Sequence, residues 1–239
     1  MLDERFLRTS ALLGEEAIWH LSQSSVMIVG LGAVGGYALE AVARSGVGKI
    51  ILVDFDKFDK TNINRQILAL ESTIGYFKTE VAAERIKQIN PNCKIEIVNE
   101  FVDNSNILDL LDRAPDYIID AIDSLEPKCC LIEEMWRRKM SFISSMGAAL
   151  KTDPLQIREG FLSQTQNCSL AKLIRQKLRK KGVDLSQIPC VWSNEKTFSS
   201  NKSANIQNGH RALGSLPTIT AMFGLILANH VILSLSKSI

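Results

Sequence analysis

The chain has 239 residues, 46% hydrophobic and 23% charged, which is enough for one substantial core in an ordinary globular domain. Its formal net charge of +2 is too small for the overall electrostatic field to attract nucleic acid, so an RNA partner would need a local basic patch. Five cysteines without a CxxC pair and a charged N-terminus without an apolar run predict reduced thiols and a cytoplasmic location.

Short apolar runs alternate with helical patterns between residues 26 and 149, which predicts an α/β fold with a Rossmann-like, doubly wound and mostly parallel sheet. The predicted strands are 26–30, 49–56, 94–102, 117–123 and 141–147. The predicted helices are 34–45, 76–89, 104–113 and 127–138. We expect residues 1–150 to form a core and 151–239 to form the C-terminal part of the same domain.

The pattern changes after residue 150. A short strand is followed by a polar, basic segment, and the Ser- and Asn-rich residues 193–215 predict a long loop. Pro217 then opens a final helix, whose apolar stretch 221–235 is interrupted by Asn229 and His230. A membrane span needs about 20 apolar residues, so we expect a buried or partner-facing helix, with peripheral membrane association as the alternative.

A glycine-rich turn follows the first predicted strand. Gly30, Gly32 and Gly35 form G-x-G-x-x-G before a helix, where backbone N–H groups can approach a phosphate closely. Asp54 ends the next strand, at a position where a carboxylate commonly binds ribose hydroxyls. These features suit an NAD enzyme and an ATP enzyme equally well.

The segment after Asp54 favours ATP. Asn62, Arg65, Gln66 and Lys78 form a cluster that a dinucleotide does not need, and its fixed positive charge suits a triphosphate. The motif "DAID" adds Asp120 and Asp123 at the carboxyl end of another strand, where a carboxylate can bind Mg²⁺ beside substrate phosphates. The sequence therefore predicts a site for ATP and Mg²⁺.

Six segments carry a family resemblance: "RFLRT", "VGLGAVGG", "LVDFD", "TNINRQ", "GYFKTEVAAERIKQINP" and "IIDAIDS". They resemble the ThiF/MoeB family, the adenylating fold of ubiquitin-activating enzymes, and together cover about half the chain in the family's order. The resemblance implies the adenylating fold and the adenylation reaction, in which a substrate carboxylate attacks the α-phosphate of ATP.

The resemblance also implies roles for individual residues. The glycines of the turn approach the phosphates, and the carboxylates after the second strand belong to the nucleotide site, with the first of them binding the ribose. Arg8 matches a position that reaches into the neighbouring subunit's site, which implies a homodimer. The residues implied in nucleotide binding are Gly30, Gly32, Gly35, Asp54, Asp56, Asn62, Arg65, Gln66, Lys78 and Asp123, with Asp123 as the Mg²⁺ ligand; those implied in catalysis are Arg8, Arg65, Lys78 and Asp123.

The chain departs from the sulfur-carrier branch of the family, because it lacks the two CxxC pairs that bind a structural zinc. The segments "AIDSLEPKCCLI", "PCVWSNEK" and "GSLPTITAMFGLILANHVI" instead resemble the branch that dehydrates threonylcarbamoyladenosine in tRNA. Three alternatives remain: an adenylyltransferase for a ubiquitin-like sulfur carrier, an NAD-dependent oxidoreductase, and a non-catalytic tRNA-binding protein. The family also makes a sulfur acceptor or a cysteine desulfurase a conceivable partner, although no residue points to one.

Two further segments bear on the substrate. The stretch 172–182 has six Lys or Arg in eleven residues, with Leu173, Ile174 and Leu178 at helical spacing, which predicts an amphipathic helix that either follows an RNA backbone or is an ordinary solvated face. Cys190 is either a catalytic thiol, with Lys196 as the one nearby cation, or a packing residue. We expect the adjacent cysteines 129 and 130 to lie in the core.

Overall fold

The computed structural model describes residues 3–196, 206–207, 210–211 and 213–237. Seven strands form one sheet in the order β3-β2-β1-β4-β5-β7-β6, parallel throughout except for β6, which is antiparallel to β7. The strands are β1 (Ser25–Val29), β2 (Lys49–Val53), β3 (Lys94–Val98), β4 (Tyr117–Asp120), β5 (Phe142–Ser145), β6 (Ile157–Phe161) and β7 (Pro189–Ser193). The predicted α/β, doubly wound sheet is confirmed.

Helices cover both faces of this sheet. They are α1 (Leu7–Leu13), α2 (Glu15–Gln23), α3 (Gly35–Arg44), α4 (Lys78–Ile89), α5 (Ile107–Leu111), α6 (Leu125–Arg137), α7 (Ser169–Lys180) and α8 (Pro217–Leu235). One core cluster joins the sheet to α3, α4 and α8, and a second joins its other face to α5, α6 and α7. Since β1 and β2 are covered on both faces, their residues are almost continuously apolar and buried.

All five strands predicted before residue 150 occur, but each ends one to four residues early. Strand β2 ends at Val53, and the Asp54 N–H makes one last hydrogen bond, to the Val98 carbonyl oxygen of β3 at 3.2 Å, while the Asp54 side chain accepts hydrogen bonds from two loop N–H groups. Polar side chains therefore follow the strand ends, at the edge of the sheet where the predicted site lies.

The terminal helix α8 is long and apolar enough, by length and composition, to cross a membrane. In this fold it packs against α3, and Phe223, Leu227 and Val231 are buried there. Gly224 permits the close approach, because a Cβ at that position would lie 2.4 Å from the Val34 carbonyl oxygen. One face of the helix is therefore buried in the core, while contact of its exposed flank with a partner or a membrane stays a prediction.

Three regions differ from the sequence expectations. Helices α1 and α2 precede the first strand, where we predicted no element, and β7 lies in a segment predicted to be polar and irregular. Within the predicted loop 193–215, a two-stranded pair forms from β8 (Ile206–Gln207) and β9 (His210–Arg211). Residues 197–205, 208–209 and 212 of that loop lie outside the described residues.

Candidate nucleotide-binding site

A cleft of about 850 Å³ lies at the carboxyl ends of the central strands β1, β2 and β4. This is the edge at which open parallel sheets bind ligands. The predicted site residues that line it are Gly30, Gly32, Asp54, Asp56, Asn62, Arg65, Gln66, Lys78 and Asp123. We call the part formed by the glycine turn and the residues up to Lys78 the nucleotide end.

The glycines of the turn have different roles. Gly30 has φ +91°, and a Cβ on Gly35 would lie 1.8 Å from the Gly30 carbonyl oxygen, so these two make the tight turn possible. Gly35 itself does not line the cleft. Gly32 does, and the nearest atom to a Cβ there, Nε2 of Gln66, would be 3.7 Å away. Gly32 therefore leaves open space where a ligand can approach the backbone.

Asp54 connects the two loops of the nucleotide end. Its Oδ2 accepts a hydrogen bond from the Leu31 N–H at 2.6 Å, and its Oδ1 accepts one from the Asp56 N–H at 2.9 Å. Burial raises the pKa of this carboxyl above its usual range. An ionised carboxylate has about four acceptor positions, so Asp54 keeps capacity for ribose hydroxyls.

Lys78 is the first residue of α4 and is buried. Its ammonium lies 2.8 Å from Oδ2 of the half-exposed Asp56 and also lines the cleft. Nearby, the buried Gln66 Oε1 has no hydrogen-bond partner among the described residues. A buried acceptor without a donor costs stability, so the nucleotide end is incomplete on its own.

The rim of the nucleotide end is fixed by short-range hydrogen bonds. The Arg65 guanidinium donates to the Thr61 carbonyl oxygen at 2.8 Å and to Oδ1 of Asn64 at 2.9 Å. Asn62 ends a short 3₁₀ turn, and its Oδ1 accepts from the Asp59 N–H at 3.1 Å. The structure thus brings the predicted cations to one side of the cleft, above the glycine turn.

The two carboxylates of "DAID" are separated. Asp120 is fully buried, and its Oδ2 lies 2.7 Å from the Lys128 ammonium and 2.6 Å from the Ser144 hydroxyl. Its other oxygen accepts from the Ile122 N–H at 3.1 Å. The expectation that Asp120 is available to a metal is wrong, because its oxygens are engaged inside the core, whereas Asp123 is exposed in the cleft.

The model of the ThiF family matches residues 5–238 of this chain. The chain belongs to the ThiF family. Among its relatives are the tRNA threonylcarbamoyladenosine dehydratases of Bacillus subtilis (strain 168), at 37% identity over 98% of this chain and 96% of the relative, and of Escherichia coli (strain K12), at 35% identity over 96% and 92%. The crystal structure of Escherichia coli TcdA in complex with ATP has a TM-score of 0.90 and 36% identity, covering 97% of this chain and 93% of that one.

The predicted membership of the ThiF family and the predicted fold are therefore confirmed. Relatives of the sulfur-carrier type match a smaller part: a probable molybdopterin-synthase adenylyltransferase of Porphyra purpurea covers 44% of this chain. The dehydratases instead match across the whole length, including the C-terminal part that the glycine motif does not reach.

Besides Gly35, two predicted site residues of this ThiF family chain do not line the cleft. Arg8 lies on α1 with an exposed side chain, and its role in a neighbouring subunit's site stays a prediction. Cys190 lies in β7 and is fully buried, and burial raises the pKa of its thiol. A catalytic thiol needs access and a lowered pKa, so the position of Cys190 favours packing over catalysis. Cys129 is in the core as expected, and Cys130 is only partly buried.

Sequence reasoning missed the other end of the cleft, which we call the far end. It is lined by residues 145–151, 167–170 and Leu173, and the segment of Glu195, which does not itself line the cleft, supports it by accepting a hydrogen bond from Lys151. Its members are separated in the chain and carry no motif, so spacing could not reveal them. It also missed Lys128, although a lysine inside an apolar helical pattern signals a buried cation.

Helix α7 begins at the far end. Ile174 and Leu178 are buried, whereas Leu173 is half-exposed and lines the cleft. Two of the predicted basic residues, Lys177 and Lys181, pair with acidic residues of α6. The remaining outward-facing cations, Lys172, Arg179 and Lys180, are exposed, and the described residues offer them no ion pair.

Proposed function

We propose that the protein is an ATP-dependent tRNA threonylcarbamoyladenosine dehydratase that adenylates the threonyl carboxylate of its substrate. The observation that carries the proposal is the cleft, which contains the glycine turn, the buried Lys78 and an Asp54 carboxylate able to accept hydrogen bonds from a ribose. The chain that forms this cleft matches the ATP complex of TcdA over 97% of its length. Binding of NAD would not require the cluster of cations at the nucleotide end.

The nucleotide end suits ATP in detail. Backbone N–H groups near Gly32 meet the phosphates, and Asp54 accepts hydrogen bonds from the ribose. Lys78, Arg65 and Asn62 contact the triphosphate, which gives Lys78 a second anionic partner beside Asp56. The protein contributes position and charge neutralisation, so no side-chain nucleophile is required.

One Mg²⁺ fits this arrangement, because Mg²⁺ is usually bound through one or two carboxylates and the phosphates of its substrate. Asp123 supplies that carboxylate from the exposed loop between β4 and α6, at the cleft wall. Bound Mg²⁺ would neutralise charge on the phosphate oxygens. Lys128 fixes the same loop from below by donating to the Ile122 carbonyl oxygen at 2.8 Å.

The reaction has two steps. A threonyl carboxylate oxygen forms a bond to the α-phosphorus, and the bond from that phosphorus to pyrophosphate breaks. A nucleophilic atom of the same modified nucleoside then attacks the activated acyl carbon, loses its proton and closes a ring, while AMP leaves with the former carboxylate oxygen. The tRNA product has lost the elements of water.

The tRNA needs a surface that leads to the cleft. The exposed cations of α7, Lys172, Arg179 and Lys180, form such a surface, since the helix begins at the far end. Arg8 implies a homodimer in which each subunit contributes to the other's site. A sulfur acceptor or cysteine desulfurase stays a prediction from the family alone.

The test is the mass of nucleosides from threonylcarbamoyladenosine-bearing tRNA incubated with the protein, Mg²⁺ and ATP. We expect loss of the mass of one water, dependent on ATP. Lys78→Ala removes a buried cation from the nucleotide end and should lower the rate by about 100-fold.

Lys87→Ala is the matched control, because Lys87 lies on the same helix but is exposed and pairs only with Glu84 at the surface. It should dehydrate the tRNA at the wild-type rate. No change of mass with the wild-type protein, although ATP binds, would contradict the proposal and direct the search to the C-terminus of a ubiquitin-like sulfur carrier.

A further inference from the structure

The far end of the cleft contains a buried cation that ATP binding does not explain. Lys151 follows β5, is 3% exposed and lines the cleft. Its ammonium donates to the carbonyl oxygens of Asn167, at 2.9 Å, and of Glu195. It therefore ties together three chain segments that form the wall of the far end.

The charge of Lys151 is poorly compensated. The Glu195 carboxylate makes no ion pair with Lys151 and acts on it only as a charged neighbour, because it accepts hydrogen bonds from the N–H groups of Thr152 and Asp153. No ion pair to Lys151 occurs within the described part of the chain, where its other electrostatic neighbour is Cys168. Burial consequently lowers the pKa of Lys151. An ammonium has three donors, and two carbonyls leave one N–H without a partner among the described residues.

Along the chain, this cation comes from a different part than the cations of the nucleotide end. Of the lysines and arginines that line the cleft, as far as the structure describes the chain, Lys57, Arg65 and Lys78 follow β2. Lys151 is the one contributed by the C-terminal part. A volume of about 850 Å³ is near the upper end of ligand pockets, of about 300–1,000 Å³, which leaves space for a second substrate group beside a nucleotide.

We propose that Lys151 binds the carboxylate of the acceptor, the group that is adenylated, and so determines which acceptor the cleft takes. The inference rests on the proposed function and adds the residue that recognises the acceptor. The unused N–H donates to a carboxylate oxygen, and the two carbonyls hold the ammonium in place before the acceptor arrives. An acceptor without that carboxylate leaves the buried charge uncompensated.

The experiment compares two tRNAs that differ only in the threonylcarbamoyl group. Their affinities are measured with Mg²⁺ and α,β-methylene ATP, which permits nucleotide binding without adenylation. The wild type should prefer the modified tRNA. Lys151→Met should reduce that preference by about ten- to a hundredfold, the range for a hydrogen bond to a charged group, and should leave binding of the ATP analogue unchanged.

The matched control is Thr152→Val, which removes the 2.9 Å hydrogen bond from the Thr152 hydroxyl to Glu195 at the same junction. Thr152 does not line the cleft, so this variant loosens the wall without changing its charge. It should keep the preference. Lys151→Gln provides amide donors for the two carbonyls if Lys151→Met does not fold, and it should lose the preference as well.

Retention of the preference in both Lys151 variants would overturn the inference, and so would loss of ATP-analogue binding, which would place Lys151 at the nucleotide. A wild type that dehydrates the tRNA but does not prefer the modified form overturns the inference alone. A wild type that neither dehydrates nor discriminates overturns the proposed function, and the inference with it.

Discussion

The two ends of the cleft are built in different ways. The nucleotide end comes from one stretch, residues 29–78, in which each group is positioned by a strand end, a turn or a helix start. The far end comes from three segments between residues 145 and 195, which Lys151 and Glu195 hold together through side-chain to backbone hydrogen bonds. Local backbone geometry shapes the first end, and tertiary clamps shape the second.

This difference teaches where each end is vulnerable. A change at a glycine of the turn that has no room for a Cβ acts on the backbone path itself, so it threatens the fold before it affects binding. A change at the far end acts on hydrogen bonds and charge at a junction, so it should alter substrate choice in a protein that remains folded. Variants can break or sharpen this contrast.

The largest effect is expected from Gly35→Ala. Its Cβ would lie 1.8 Å from the Gly30 carbonyl oxygen, an overlap that requires the turn to move. We expect a loss of more than about 4 kcal/mol in the free energy of unfolding, or no folded protein at all. Urea denaturation of the purified variant measures it.

Gly32→Ala is the comparison within the same motif. The nearest atom to its Cβ would be 3.7 Å away, which is ordinary contact, so stability should change by less than about 0.5 kcal/mol. ATP binding should nevertheless weaken, because the methyl group enters the cleft where the phosphates approach. A stable Gly35→Ala protein would refute the claim that the backbone path controls this end.

The next largest effect is expected beneath the cleft, at the fully buried pair of Lys128 and Asp120. Lys128→Met leaves the Asp120 charge buried with only the Ser144 hydroxyl and the Ile122 N–H, which should cost about 3–5 kcal/mol of the free energy of unfolding. Adding Asp120→Asn should restore part of it, since the uncompensated charge is removed. A loss in the double variant equal to the sum of the losses in Lys128→Met alone and Asp120→Asn alone would show that the pair is not coupled.

The nucleotide end and the buried pair of Lys128 and Asp120 also show how much of the molecule the sequence predicts. Strands β1, β2 and β4 were predictable because central strands need mostly apolar residues, whereas β3 lies at the sheet edge and alternates apolar with charged residues. The nucleotide end was predictable because its groups lie at fixed offsets from strand ends. Lys128 shares neither property: its partner Asp120 lies on another element, and only tertiary packing brings them to 2.7 Å.

The same reason explains the misses after residue 150. Strand β7 pairs with β5 and β6, which are remote in the chain, and a five-residue strand beside a polar segment has little periodicity. The sequence consequently left open whether Cys190 is a catalytic thiol or a packing residue, although it lies opposite Ser144 and Gly160 in the sheet. Lys151 had no signal, because its function depends on two carbonyls supplied from elsewhere.

A smaller effect is expected in the pH dependence of the preference for modified tRNA, which we assign to the far end. Lys151 binds a carboxylate only in its charged form, which is present below its pKa and lost as the pH rises through it. Burial lowers that pKa below the ordinary 10.5, so the preference for modified tRNA should decline at a lower pH than an ordinary lysine would give. The affinity ratio of the two tRNAs, measured across alkaline pH, should show this decline in the wild type.

The nucleotide end provides the control for that profile. Affinity for the ATP analogue, measured over the same pH range without tRNA, should not follow the decline, and Lys151→Met should abolish the pH dependence of the ratio. A decline that persists in Lys151→Met would assign it to another group of the cleft.

The smallest effect on activity is expected from Cys190→Ala. The thiol is fully buried in β7 and does not line the cleft, so it touches neither end, and its removal should cost about 1 kcal/mol of stability with an unchanged rate of dehydration. Ser144→Ala, at the facing position of β5, is a matched core change that also removes a hydrogen bond to Asp120, so it should be the more destabilising of the two. An inactive Cys190→Ala protein of normal stability would restore the catalytic role and would mean that the far end extends to β7 during the reaction.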